Sequence, residues 1–126
     1  MNGKTIMIVD DSATLRASVN FVLSEAEYTV IQAKDGMDGL AKLRDLQASG
    51  TKLDMIITDI NMPNLDGIGF ITEIKKSDYR YVPILVLTTE SENAKKMEGK
   101  AAGAAGWLVK PFKPEQLLWV VKKFVR

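Results

Sequence analysis

Short apolar runs alternate along the chain with longer segments of helical period, and acids, Gly, Pro or Ser mark each change. The runs at residues 5–9, 28–33, 53–58, 84–88 and 107–109 are β-branched and nearly continuous in hydrophobicity, as strands buried on both faces of a parallel sheet are. Between them, Leu15, Val19, Val22 and Ala26 form one apolar helical stripe, Met37, Leu40, Ala41 and Leu43 a second, and Phe70, Ile71 and Ile74 a third. Ala94, Met97 and Ala101 make a weaker fourth, and Leu117, Val120, Val121 and Phe124 a strong last one. Five strand-helix units joined by right-handed crossovers predict a three-layer, doubly wound α/β domain. Ligands of such folds bind at the carboxyl ends of the strands, beside the point where strand order reverses.

Composition narrows the chemistry. The chain has 126 residues, the size of one compact domain, and its 46% apolar and 26% charged content is that of a folded soluble protein. It contains neither Cys nor His, which removes disulfides, thiolate zinc sites, cysteine nucleophiles, imidazole bases and Ser-His-Asp triads. Carboxylates, hydroxyls, amides and lysines remain. Seventeen Lys and Arg against sixteen Asp and Glu leave a formal charge of +1, too little to favour nonspecific nucleic-acid binding. The first apolar run is cut off by Asp10 and Asp11, too short for a signal-peptide core or a membrane span, so no membrane partner and a cytoplasmic location are expected.

The strand ends carry the chemistry-bearing residues. Asp10, Asp11 and Ser12 follow the first run, and two readings are open there: Asp11 or Ser12 caps the next helix, or the paired acids hold a hard cation such as Mg2+. Two adjacent acids exceed what a cap needs. The third run leads into Asp59, and beyond it Asp66-Gly67 reads as turn chemistry with Asp66 capping the following helix. Neighbouring first and third strands would gather Asp10, Asp11 and Asp59 into one pocket of charge about −3, costly without a cation or a retained proton. Thr88 and Lys110, at the ends of the fourth and fifth runs, add a hydroxyl donor and a positive charge, as an anionic phosphoryl group requires.

The order Asp10-Asp11, Asp59, Thr88 and Lys110-Pro111-Phe112 resembles that of response-regulator receiver domains, over essentially the whole chain. The resemblance implies a flavodoxin-like, doubly wound, five-stranded parallel sheet of order 2-1-3-4-5 with five helices, residues 1–126 forming one receiver domain with no output domain. It implies that Asp59 is the phosphoacceptor, served by an external histidine kinase of the chemotaxis, CheA-like type. Mg2+ would be held by Asp10, Asp11, Asp59 and the backbone carbonyl of Asn61, while Lys110 pairs with the phosphoryl oxygens. Thr88 would be the movable hydroxyl of the switch and Trp107 its aromatic follower, and Asn61 and Glu90 would tune hydrolysis. The segment from Ser91 to Gly106, rich in glycine and alanine, is the expected place of movement.

Resemblance to the stand-alone, CheY-like chemotaxis regulators further implies a monomer that is a signalling switch and not an enzyme in the usual sense. Its effector would be a flagellar motor switch protein or another partner, with a phosphatase as a further contact. On an ideal helical wheel Trp119 falls opposite the last stripe, where it either meets a partner or folds over neighbouring side chains. A phosphate sink or relay receiver without motor binding is the alternative within the family. A phosphatase of the haloacid-dehalogenase type is remote, because its second acid falls where this chain has Asn61. An FMN carrier is disfavoured by Asp10 and Asp11, which would repel the phosphate.

Overall fold

A computed structural model of the protein describes residues 3–89 and 93–125; Glu90 and the side chain of Ala94 lie outside the described residues. The element order is β1 (Thr5–Val9), α1 (Ala13–Glu25), β2 (Thr29–Ala33), α2 (Gly36–Ser49), β3 (Met55–Asp59), α3 (Gly67–Lys75), β4 (Ile84–Thr88), α4 (Asn93–Ala102), β5 (Gly106–Val109) and α5 (Pro114–Phe124). All strand pairs are parallel, in the order β2-β1-β3-β4-β5, so the flavodoxin-like topology is the observed one. The expected runs match these strands to within two residues, and β3 includes Asp59 as its last residue.

Alternation along the central strands divides the core in two. Ile6 and Ile8, Met55 and Ile57, and Leu85 and Leu87 face one side, where Val19 and Leu23 of α1 and Leu117 and Val121 of α5 cover them. Met7 and Val9, Ile56, and Ile84 and Val86 face the other, against Leu43 of α2 and Phe70, Ile71 and Ile74 of α3. Each such aliphatic side chain, fully buried, contributes about 1.5–3 kcal/mol. Full burial on both faces holds for β3, β4 and, after Thr5, β1, but not for β2 and β5, whose residues are mostly half-buried. These two are the edge strands, flanked by neighbours on one side only, and the sequence pattern does not reveal strand order.

The fourth helical stripe is misplaced. Met97 and Ala101 are exposed, Met97 at 66%, while Gly99 and Ala102 turn toward the sheet. A helix that packs through small residues carries little apolar periodicity, so its inner face could not be read from hydrophobicity. Met37, placed in the second stripe, is likewise exposed, and the inner face of α2 includes Gly36 and Gly39. Gly39 lies so close to the Phe70 ring that a Cβ there would fall 2.8 Å from it.

Helix starts are set by short polar caps. Ser12 Oγ accepts from Leu15 N, Asp35 from Asp38 N and Asp66 from Gly69 N, so the capping reading of Asp66 is the observed one. At the start of α3, Gly67 N donates to Ile60 O at 2.8 Å, and a Cβ on Gly67 would meet the Asp59 carbonyl and come within 2.7 Å of Ile60 Cα. Only glycine lets α3 begin directly against the end of β3. Gly67→Ala is therefore expected to destabilise the protein by about 1–3 kcal/mol in urea unfolding, the usual range for overpacking; an unchanged midpoint would show that the helix start can yield.

Candidate functional site

The sheet order delivers its strand ends to one edge, and the side chains anticipated there converge. Asp10, Asp11 and Asp59 each offer a carboxylate oxygen, all within 4.8 Å of one another. Asp10 and Asp59 are buried and Asp11 is exposed. Ser12, and not either acid, supplies the side-chain cap of α1, which leaves the Asp11 carboxylate to the cluster. Asp10 Oδ1 accepts from Ser12 N at 2.8 Å, while Asp59 Oδ1 accepts from Ile60 N at 2.7 Å.

Lys110 joins the two buried acids. Its Nζ lies 3.3 Å from Asp10 Oδ2 and 3.1 Å from Asp59 Oδ2. Burial alone would lower the ammonium pKa, but the attraction of Asp59 and Asp10 outweighs it, and the pKa is raised. The Asp59 carboxyl is pushed up from its ordinary value of 3.8, first by burial and then by the charge of Asp10, with Lys110 opposing only part of this. Negative charge at this spot is therefore undercompensated in the metal-free protein. Three oxygen-bearing acids around such a deficit form the donor set a hard divalent cation takes.

Thr88 ends β4 beside this group at 1% exposure, and among the described residues its Oγ1 has no hydrogen-bond partner. A buried hydroxyl left unpaired costs about 1–3 kcal/mol. Asn61 stands on the exposed loop two residues beyond Asp59, and Glu90 lies outside the described residues. Trp107 is half-buried on β5, packed toward α3 and α4, with the ammonium groups of Lys96 and Lys100 4.4 and 6.0 Å from its ring centroid. Trp119 lies apart on α5, 67% exposed, with Lys123 Nζ 5.4 Å from its ring. It does not fold down into the core. Beside it Leu108, Glu115, Gln116 and Val120 line a cavity of about 450 Å³. A second, apolar cavity of about 610 Å³ between α1 and α5 shares Lys110 with the acidic cluster but none of its carboxylates.

Arg16 escaped the sequence reading, which named Gly67 only as turn chemistry and Pro111 only within the motif that begins at Lys110. Arg16 Nη1 donates to the Asp10 carbonyl at 2.6 Å, holding the end of β1 from the first turns of α1. Gly67 admits α3 against Asp59, and a glycine at the first position of a helix is the signal that marked it. Pro111 follows Lys110 through a cis peptide bond.

Fold and site together define a doubly wound α/β domain with an oxygen-rich cradle at its switch point. Residues 6–122 match the response regulator receiver domain family, and the chain belongs to it. It is similar to Protein PilG of Pseudomonas aeruginosa, 35% identical over 125 residues covering 98% of this chain and 89% of that one. It is also similar to the chemotaxis protein CheY of Thermotoga maritima, 34% identical over 122 residues covering 96% and 97%. Among solved structures, the chemotaxis response regulator CheY4 of Vibrio cholerae superposes with a TM-score of 0.86 at 43% identity, covering 98% and 99%. Of the transcriptional regulatory protein ResD of Bacillus subtilis, 33% identical, the chain spans 49%.

Receiver domains are signalling switches of two-component systems that bind Mg2+ and interact with histidine kinases and effectors. Membership removes the phosphatase and FMN-carrier alternatives. Among the described residues no helix is long and apolar enough to cross a membrane.

The raised pKa of Asp59 fixes the sign of a stability effect. A carboxyl whose folded pKa lies above its unfolded one contributes stability that is full below the unfolded value and is lost as pH rises through the folded value. Once ionised, the metal-free wild type carries the form that burial and Asp10 disfavour. Asp59→Asn in EDTA is expected to unfold at higher urea than wild type at pH 7, the gap closing as pH falls toward about 4. Equal midpoints at pH 7 would contradict the electrostatic account.

Proposed function

We propose that Asp59 accepts a phosphoryl group from the phosphohistidine of a partner kinase, and that the aspartyl phosphate formed switches binding to an effector in chemotaxis or flagellar motor control. The observation that carries this reading is the convergence of Asp10, Asp11 and Asp59 within 4.8 Å, with Lys110 bridging the two buried members. The histidine belongs to the partner, since this chain has none. The chemotaxis setting is supported by similarity to CheY of Thermotoga maritima and CheY4 of Vibrio cholerae, and with it a cytoplasmic location.

Asp10, Asp11, the Asp59 carboxylate and the backbone carbonyl of Asn61 would hold Mg2+, which supplies positive charge against the incoming phosphoryl oxygens. In the transfer step an Asp59 oxygen attacks phosphorus, the bond from phosphorus to the imidazole nitrogen breaks, and the departing imidazole keeps the electron pair and takes a proton from solvent. The protein's part is positioning and charge neutralisation. Lys110 moves its ammonium from carboxylate to phosphoryl oxygen without leaving the pocket. Asp10, Asp11 and a dianionic phosphoaspartate sum to about −4, against +3 from Mg2+ and Lys110, so neutral donors are still required.

Thr88 meets that need. Its unpaired hydroxyl is costly in the resting protein and gains a partner once an anionic oxygen arrives, so phosphorylation favours the conformation in which the hydroxyl reaches it. Trp107, held between β5 and the lysines of α4, follows that movement. Water attacking phosphorus ends the signal, restoring the Asp59 carboxylate and releasing inorganic phosphate; Asn61 and Glu90 tune that step.

Asp59→Asn is expected to take up no phosphoryl group from a donor kinase, and chelation of Mg2+ to slow labelling of the wild type by about 100-fold or more, the scale on which removing one electrostatic stabiliser acts. Normal labelling of Asp59→Asn would remove the acceptor assignment. The exposed Trp119 and its adjoining cavity form the effector surface in this reading. A stably folded Trp119→Ala protein is expected to lose about 2 kcal/mol of affinity for a phosphorylation-dependent partner, as measured by calorimetric titration of the phosphorylated form. Undiminished binding to every such partner would move the surface elsewhere.

A further inference from the structure

Asp35, at the start of α2, is 5% exposed and does two things at once. One carboxylate oxygen, Oδ1, caps α2 by accepting from Asp38 N at 2.8 Å. The other, Oδ2, accepts from Asn64 Nδ2, also at 2.8 Å, across 29 residues of sequence. Asn64 stands in the middle of the loop between β3 and α3 and adopts a left-handed backbone, φ 70°. Beside this bond the chains approach so closely that a Cβ on Gly36 would lie 2.6 Å from the Leu65 carbonyl oxygen. The Asp35 carboxyl is held below its ordinary pKa, first by the Asp38 amide and then by Asn64, so it stays ionised at neutral pH.

The sheet order gives this contact its meaning. Asp35 follows β2 and Asn64 follows β3, while β1 lies between those strands and ends in Asp10 and Asp11. The bond therefore spans the end of β1, tying together the loops on either side of the acidic cluster. The far end of the Asn64 loop is already fixed by Gly67 N on Ile60 O and by the Asp66 cap. The near end is Asp59 itself.

Resting on the receiver reading, we propose that Asp35 and Asn64 are a positioning pair: their part-buried carboxylate–amide bond, from the buried Asp35 to the exposed Asn64, fixes the loop after β3 so that Asp59 and the Asn61 carbonyl engage Mg2+ together with Asp10 and Asp11. Neither residue touches the ion. A loop fixed before the ion arrives spares the ordering cost on binding, so loss of the bond weakens ion affinity without removing a ligand.

Two variants separate this role from helix capping and from backbone shape. Asp35→Ser keeps a good cap but is too short to reach Asn64, and Asn64→Gly keeps the left-handed backbone but loses the amide. Mg2+ is titrated into the full chain while amide NMR shifts of the loop and of Asp10 and Asp11 are followed, and labelling by acetyl phosphate is timed in parallel. Each variant is expected to bind Mg2+ about 10-fold more weakly, the lower end of the effect of outer-shell partners, with slower labelling. The double variant is expected to be no weaker than the worse single one.

Mg2+ affinity unchanged in both variants, even with a lowered melting temperature in EDTA, would overturn the pair and leave a merely structural contact. Additive losses in the double variant would do the same. Failure of the wild type to bind Mg2+, or normal labelling of Asp59→Asn, would instead bring down the receiver reading and the pair with it.

Discussion

The structure turns on one ammonium group set between two buried carboxylates. A parallel sheet delivers the ends of β1 and β3 to the same edge, and here both ends are acids taken out of water. Such a pair is unstable by itself, and a buried charge left without its counter-ion typically costs about 3–5 kcal/mol. Lys110, arriving from β5 at the far edge of the sheet, offsets part of the repulsion and leaves Asp59 with its pKa still raised. The residual imbalance gives the site its appetite for further positive charge.

Packing, backbone hydrogen bonds and a few side-chain contacts steady this triad. The three central strands are clamped between two apolar layers, so their ends cannot drift independently. Arg16 fixes the carbonyl of Asp10, Ile60 N fixes one oxygen of Asp59, and Gly67 allows α3 to press directly on the Asp59 carbonyl. What remains to meet an incoming group is the exposed Asp11, the backbone of the Asn61 loop and the Thr88 hydroxyl.

Much of this was legible in the sequence because burial on both faces writes itself as continuous apolar runs. The strands were found to within two residues, and Asp10, Asp11, Asp59 and Lys110 could be gathered because strand ends in a doubly wound fold meet at one edge. The order of the strands came from resemblance, since no local pattern encodes which strands are neighbours, and for that reason the half-burial of β2 and β5 was missed. The inner face of α4 was missed because Gly99 and Ala102 carry no hydrophobic signal, while Met97, which does, points to solvent. Arg16 and the bond between Asp35 and Asn64 were invisible for a different reason: each is a single polar contact whose partner is chosen by tertiary geometry. The capping role of Asp66 was readable, being local.

The way α4 is moored has its own consequence. Among the described residues its sheet-facing side is Gly99 and Ala102, and a Cβ placed on Gly99 would find its nearest neighbours at 3.6 Å and beyond. At about 25 cal/mol per Å² of apolar surface, so few methyl groups contribute little, and beside the packing on α3 two lysines add their hold on an indole. Such an attachment has weak shape selectivity, because an ammonium can slide over a ring face with small loss of energy. The helix is thus closer to a magnet on a plate than to a peg in a socket, able to change its seat without first unpacking a core.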